Sequence, residues 1–402
     1  MPQTGKNVVV AFKVEAALDT APGATGAKKL RLTPSPGLGL RKELIRSNEV
    51  RNDGMTAVPR HGSRSVDGSY SGELSVGTYD QIIAAVVRAT QVASVQVTNA
   101  LASLASISFG TNTVTATVTS TGSGFLQAGI KVGDVFRVTT TGSVNDDVNA
   151  QVQAVTTHTL TVNDGAFAAD AAARTTFNLA IGKKISNGTT PVRTSYRIDE
   201  YNQDIDLSEV FGGCRWTGMD IRGTPNGMAE LTISAMGMST EALVSGSSPY
   251  FTTPTAFTSD SLVMADAVIH FAGADIAVAT AVELSYQVNA VTLPVIGSSV
   301  TPDVFDNEAR LTGSITVLRA DLANLSNYIN ETELELFIML QEPEAEPKDY
   351  IGIYIPRLKL GGVDAAIGAD GAMTETLTFE AGMKPSAAGQ DQAMITFTTS
   401  AS

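Results

Sequence analysis

The chain has 402 residues, 43% of them apolar and 17% charged, so it has ample surface to bury and is not a disordered polypeptide. No apolar run nears the roughly 20 residues needed to cross a bilayer, and Val8 to Phe12, flanked by Lys6 and Lys13, is too short for a leader core, so neither a membrane span nor secretory export is expected. A net charge of −14 opposes nonspecific binding to nucleic acid, and the single cysteine, Cys214, leaves no internal disulfide to staple the fold. The stretch 28–64 runs against that charge: Lys28, Lys29, Arg31, Arg41, Lys42, Arg46, Arg51, Arg60 and Arg64 face only Glu43, Glu49 and Asp53. Residues 1–90 hold 12 basic and 8 acidic side chains, whereas residues 246–402 hold 6 and 20. Two readings stand, a solvated surface or a cationic arm that reaches an acidic face on another copy.

Next in order, Ser69 to Val76 alternates with Tyr70, Gly72, Leu74 and Val76 on one face, the pattern of a half-buried strand. A short helix is expected after it, capped by Thr78 with Gln81 and striped by Ile82, Ile83, Val86 and Val87. The strand pattern returns at Arg310 to Val317, with Gly313, Ile315 and Val317 matching Gly72, Leu74 and Val76. A second helix then carries Leu318, Leu322, Leu325 and Ile329, with Asp321 in the place of Asp80. An Asn226-Gly227 hairpin leads into Leu231, Ile233 and Ala235, and an Asp370-Gly371 hairpin into Glu375, Leu377 and Phe379; both dipeptides suit type I′ turns. From Asp80 to Asn226 is 146 steps and from Asp321 to Asp370 is 49, so the first copy holds about 97 extra residues. The Thr-, Ser- and Val-rich stretch 91–190, with strand-like runs Thr113 to Thr119, Val135 to Thr140, Gln151 to Thr156 and Thr159 to Val162, reads as that insertion. The expected organisation is therefore mainly β. One domain spans 1–90 and 191–245, a small all-β module lies at 91–190, and a second copy spans 246–402. The module is expected to project outward, so that deleting 95–185 leaves assemblies intact.

In the second copy Glu331, Glu333 and Glu335 alternate with Thr332, Leu334 and Leu336, placing the carboxylates on one face of a strand. That face is either plain solvent surface or, if the sheet lines a conduit, an anionic wall along which a duplex slides without sticking. Catalytic chemistry is missing. His61, His158 and His270 lack helical metal-site spacing, Cys214 has no histidine near it, and no nucleophile elbow, phosphate loop or dinucleotide fingerprint occurs. No enzyme activity, catalytic residue, metal or cofactor is expected.

The segments Leu30-Arg31-Leu32-Thr33, Arg46 to Asp53, Arg60-His61-Gly62, Val66-Asp67-Gly68 and Glu73 to Asp80 resemble the tail tube proteins of long-tailed bacteriophages, in the branch with a duplicated tube domain. Gly213-Cys214, Pro225-Asn226-Gly227, Asn330 to Glu333 and Ile355 to Leu358 extend the likeness, and Phe125 to Val138 resembles a β module some members carry. The resemblance implies two β-sandwich or barrel domains, each with a short helix, closing into rings that stack as the tail tube of the virion, through which DNA is ejected without specific binding. Two copies per chain imply trimeric, pseudo-hexameric rings. The implied partners are further copies of the chain, a tape-measure protein and a tail terminator, with assembly in the host cytoplasm and no membrane. The loop bearing Arg41, Lys42, Arg46, Arg51, Arg60 and Arg64 would reach the next ring, and Glu331, Glu333 and Glu335 would line the lumen. A capsid decoration or baseplate component, or a tail-associated glycan-binding protein, is the alternative.

Overall fold

The structure is a computed structural model that describes residues 5–101, 104–118, 124–139, 141–276, 278–342, 347–365 and 371–400. Thr119, Thr140 and Asp370, named in the strand and turn expectations, lie outside these residues. Alternating burial organises the chain into mainly β structure. The first unit comprises β1 (Val8–Val14), β2 (Gly37–Ile45), β3 (Arg60–Glu73), α1 (Asp80–Val86), β4 (Tyr196–Asn202), β5 (Leu207–Gly223) and β6 (Glu230–Gly237). The second comprises β7 (Val268–Phe271), β8 (Ala279–Gln287), β9 (Arg310–Leu318), α2 (Ala323–Ile329), β10 (Leu334–Gln341), β11 (Tyr350–Ala365) and β12 (Thr374–Ala381); shorter strands are left unlabelled.

Hydrogen-bonded order in the first unit is β2-β3-β6-β5-β4-β1. In the second it is β8-β9-β12-β11-β10-β7, the same order with every label raised by six. Each unit bends at its long strand. Residues 207–214 of β5 pair with β4 and residues 215–222 with β6, while residues 350–358 of β11 pair with β10 and residues 358–365 with β12. Register shifts at Trp216/Gly218 and Leu334/Leu336 mark the bends, since an extra residue kinks a strand and strengthens its twist. The two sheets so formed enclose a core that runs continuously through both units. Gly72 and Gly313 are matched in space, opposite Leu231 and Phe379. Each makes room for an aromatic group: a Cβ on Gly72 would lie 2.0 Å from the Tyr79 hydroxyl and one on Gly313 2.5 Å from Phe379.

Local details depart from expectation. Helix α1 buries Ile82, Ile83 and Val86 as predicted, but it begins at Asp80 with Tyr79 as N-cap, and no side chain caps it. Thr78 is one residue too early and shares a 2.6 Å hydrogen bond with Ser75 instead. The Asn226 turn is led by Pro225: Gly227 N donates to Thr224 O at 3.1 Å and only Asn226 takes positive φ, +57°. Proline presets the first central position, so this is the type II arrangement and not type I′. Helix α2 buries none of its residues, leaving Leu322 and Ile329 exposed, so the predicted apolar stripe does not face the core.

The units join directly. Residues 218–223 of β5 pair with residues 282–287 of β8, from Gly218 opposite Gln287 to Gly223 opposite Val282. Behind the seam, Arg215 of the first unit lies 2.9 Å from Asp303 and 3.9 Å from Asp306, and Arg193 lies 3.2 Å from Asp306. Asp306 and Arg215 are nearly buried; without Arg215, Asp306 keeps Arg193, but Asp303 loses its 2.9 Å partner. Arg215→Ala is expected to lower unfolding stability by about 2 kcal/mol, the scale of one lost charged hydrogen bond, read as a reduced denaturation midpoint. The linker after the first unit stays with it: Lys29 N donates to Thr255 O and Leu262 N to Leu74 O.

Eight short strands between Val95 and Ile181 form a separate sheet around Phe109, Phe125, Phe136 and Phe167. This module does not stand apart. Val135 packs with Phe337, Met339, Tyr350 and Tyr354 of the second unit. Tyr350 donates to Val135 O at 3.0 Å, and Asn149 donates to Gln341 and Lys348 O. Asp134, whose carboxyl is pushed up by burial, pairs with Lys184, which also meets Asp391.

Candidate assembly surfaces

Because β5 pairs with β8, two half-sheets become one eight-stranded sheet in the order β2-β3-β6-β5-β8-β9-β12-β11. Its inner face is core. The outer face is built of small hydroxyls and charges that alternation directs away from the core. Ser71 meets Thr232 at 3.0 Å, Ser285 donates to Asp220 at 2.5 Å, and Thr316 meets Thr376 at 3.1 Å. Arg41–Asp67, Arg222–Glu283 and Arg310–Glu380 form ion pairs across neighbouring strands at 2.6, 3.0 and 2.8 Å. Glu73, Glu230 and Asp364 add further carboxylates, so acid outweighs base on this face. Of these residues only Arg41 was a candidate in the sequence, as part of the cationic stretch; the signal for the others was the Ser/Thr/Glu half of each alternating strand, which reads equally as ordinary solvent surface.

Both ends of this sheet are open. Among the described residues β2 pairs only with β3, residues 359–365 of β11 pair only with β12, and the two edges do not pair with each other.

The β2-β3 hairpin and its loop form an arm. Arg41 and Lys42 lie on β2, Arg60 and Arg64 on β3, and Arg46 and Arg51 in the connecting loop. Arg51 grips Asp53, holding that carboxyl below its usual range, while Arg64 N donates to Ser299 O, tying the arm's base to the second unit. Sequence reading saw the cations and missed the apolar residues between them: Leu44, Ile45, Val50, Met55 and Val58 are exposed, Val50 at 96%. The take-off of β2 is set by Glu200, which accepts from Leu38 N at 2.9 Å and from the Tyr70 hydroxyl at 2.5 Å and whose carboxyl is pushed up by burial. At the opposite end of the sheet, Met228, Val278, Leu322 and Met373 are exposed, and Leu318 N donates to Val278 O and Arg319 N to Met373 O, just before Asp321 in the chain.

The predicted acidic row is not a strand face. Strand β10 starts at Leu334, so Glu331, at φ +50°, and Glu333 precede it and only Glu335 lies within it. The helix-to-strand turn consumed the residues that alternation had assigned to the strand. Glu333 pairs with Arg357 and Glu331 with Lys359, and Glu335 accepts from the Tyr354 hydroxyl at 2.8 Å. Tyr354 also abuts Gly133 of the module, so Glu335 lies on the face that carries the module and not on the outer face of the joined sheet.

Cys214 is buried, and desolvation pushes its thiol well above the usual range; His270 is buried against Asp275 at 2.8 Å. A family model described as phage tail tube protein matches residues 5–381. No curated protein matches the chain.

Proposed function

The chain belongs to the phage tail tube protein family, making it a structural component of the virion tail, and from that premise we propose that three chains close into a ring and that rings stack into the conduit for DNA. The observation that carries this reading is the eight-stranded sheet, open at both ends, whose internal seam already joins one unit to the next. Closing three such sheets removes every free edge, which would otherwise invite uncontrolled pairing. At the usual strand spacing and tilt, the backbones of that barrel stand about 40–50 Å apart, room for a duplex.

In this reading the tube domains are 1–90 with 191–245, and 246–402, and the module at 91–190 faces outward on the other sheet. The lumen wall is the outer face with Asp220, Glu230 and Glu283, which takes the role first given to Glu331, Glu333 and Glu335. Its carboxylates repel phosphate. The arm with Arg41, Lys42, Arg46, Arg51, Arg60 and Arg64 reaches the far end of the neighbouring ring, where Met228, Leu322 and Met373 meet its apolar residues and Asp321 meets its cations. Ejection through this bore, capping by a tail terminator, filling by a tape-measure protein and assembly in the host cytoplasm follow from the same role. Native mass spectrometry and averaged electron micrographs of the assembled chain should give three chains per ring with six lobes; six whole chains per ring would refute the closure.

A further inference from the structure

Resting on that reading, we infer that helix α2 is the docking site for the first unit of the next copy in the ring, whose Leu207, Ala242 and Val244 cover its Asp321, Leu325 and Tyr328. Inside the chain the same kind of contact is already made. Helix α1 touches the strand Lys183–Ser186, which pairs with the strand Thr396–Thr399, itself an edge partner of β11. The Thr399 hydroxyl donates to Asp80 at 3.2 Å, and Asp80, Ala84 and Val87, one face of α1 at i, i+4 and i+7, are all buried. The sheet of the second unit thus covers the helix of the first.

The first unit carries the matching strand. Ser239–Leu243 pairs with β5, on the side away from β4, as Thr396–Thr399 pairs with β11 on the side away from β10. Both long strands hold the same bulge, which fixes the correspondence: Cys214 opposite Tyr196 and Phe211 opposite Ile198 in one, Leu358 opposite Leu334 and Ile355 opposite Leu336 in the other. Counting back from it, Leu207 and Glu209 take the places of Ile351 and Ile353. Across the ladder Ala242 takes the place of Phe397, and Val244, one step past the strand, that of Thr399.

Burial separates the two sets. Ile351, Ile353, Phe397 and Thr399 are each 1% exposed, whereas Leu207 is half-buried and Glu209, Ala242 and Val244 are exposed, Val244 at 63%. The helices differ in the same way. Asp321 stands in the place of Asp80, so Leu325 and Tyr328 replace Ala84 and Val87, and Tyr328 is 41% exposed. Each chain therefore presents a bare strand face on its first unit and a bare helix face on its second, the counterparts of two surfaces buried where its own units meet. The bare faces do not meet within the chain, but a head-to-tail neighbour covers both, and head-to-tail contacts are what close a ring. Glu209 in the place of Ile353 makes this face the more polar of the two, in keeping with a surface that meets water until the ring closes.

The test is a double variant of the full chain, Val244→Cys with Asp321→Cys, whose inner counterparts Thr399 and Asp80 are in contact. A short bismaleimide added after assembly should link most chains into species that stop at three on a denaturing gel; Cys214 is buried and takes no part. Glu241→Cys with Asp321→Cys, three residues back and on the other side of the strand, should link roughly tenfold less. Rings in which the first pair stays unlinked, or links no better than the second, overturn the docking while leaving the tube reading intact; absence of rings from the unmodified chain fails both. Ala242→Asp with Val244→Asp sets carboxylates against Asp321 and should cut the ring signal in native mass spectra roughly tenfold. The denaturation midpoint of the free chain should not move, because both residues are exposed there. Rings from this variant at the parent's yield count against the contact.

Discussion

Excising residues 95–181 is expected to give an aggregated chain and no tubes. The cut is geometrically easy, because Val92 and Lys184 pair across the base of the module and a short linker spans them. The cost lies elsewhere. Val135 is lost from the cluster that buries Phe337, Met339, Tyr350 and Tyr354, and Tyr350 loses its acceptor. Exposing these four large side chains forfeits about 6–12 kcal/mol at 1.5–3 kcal/mol each, comparable to the whole stability of an ordinary domain. Lys184 is left beside Asp391 without Asp134. The expectation that assemblies survive deletion of 95–185 treated the module as detached; its packing on β10 and β11 predicts the opposite outcome. Soluble yield and tube counts in negative stain check it. Adding Phe337→Ser, Met339→Thr and Tyr354→Thr to the deletion should recover solubility, because the exposed patch is then polar; full-length tubes from the plain deletion would show that the patch is covered by something else.

Replacing residues 46–59 with a short Gly/Ser linker is expected to yield rings that do not stack. The segment is exposed apart from the half-buried Ala57 and contributes to none of the core clusters, so the denaturation midpoint should move by no more than about 0.5 kcal/mol in stability. What is lost is the proposed contact between rings, its apolar residues and its cations together. Reversing Arg46, Arg51 and Arg60 to Glu tests the charge alone: tubes should shorten, more so at low salt, where exposed charges interact over a longer range. Long tubes from the linker variant would place stacking on other residues.

How far the sequence reaches is visible in particular residues. The recurrence of Tyr70-Ser71-Gly72 as Leu311-Thr312-Gly313 identified two matched strands, and both occupy the second place in an identical six-strand order. The cationic stretch became an arm, as its composition suggested, yet its apolar residues were overlooked because Val50, Met55 and Val58 follow no period. For Glu331 and Glu333 alternation misled, since two polar-apolar steps look alike in a turn and in a strand. Stripe counting failed for α2 because, among the described residues, nothing covers Leu322 and Ile329.

Periodicity, composition and a repeated landmark are local properties, and from them the chain by itself determined that it is mainly β, that it repeats, and that it resembles tail tube proteins. Which edges pair, where the long strands bend, that the two units share one sheet, and that the module is seated on the second unit were decided only in three dimensions. The physical reason is that strand pairing joins residues such as Gly218 and Gln287 that lie far apart in the chain, and backbone amides, identical at every residue, carry no sequence code for their partner.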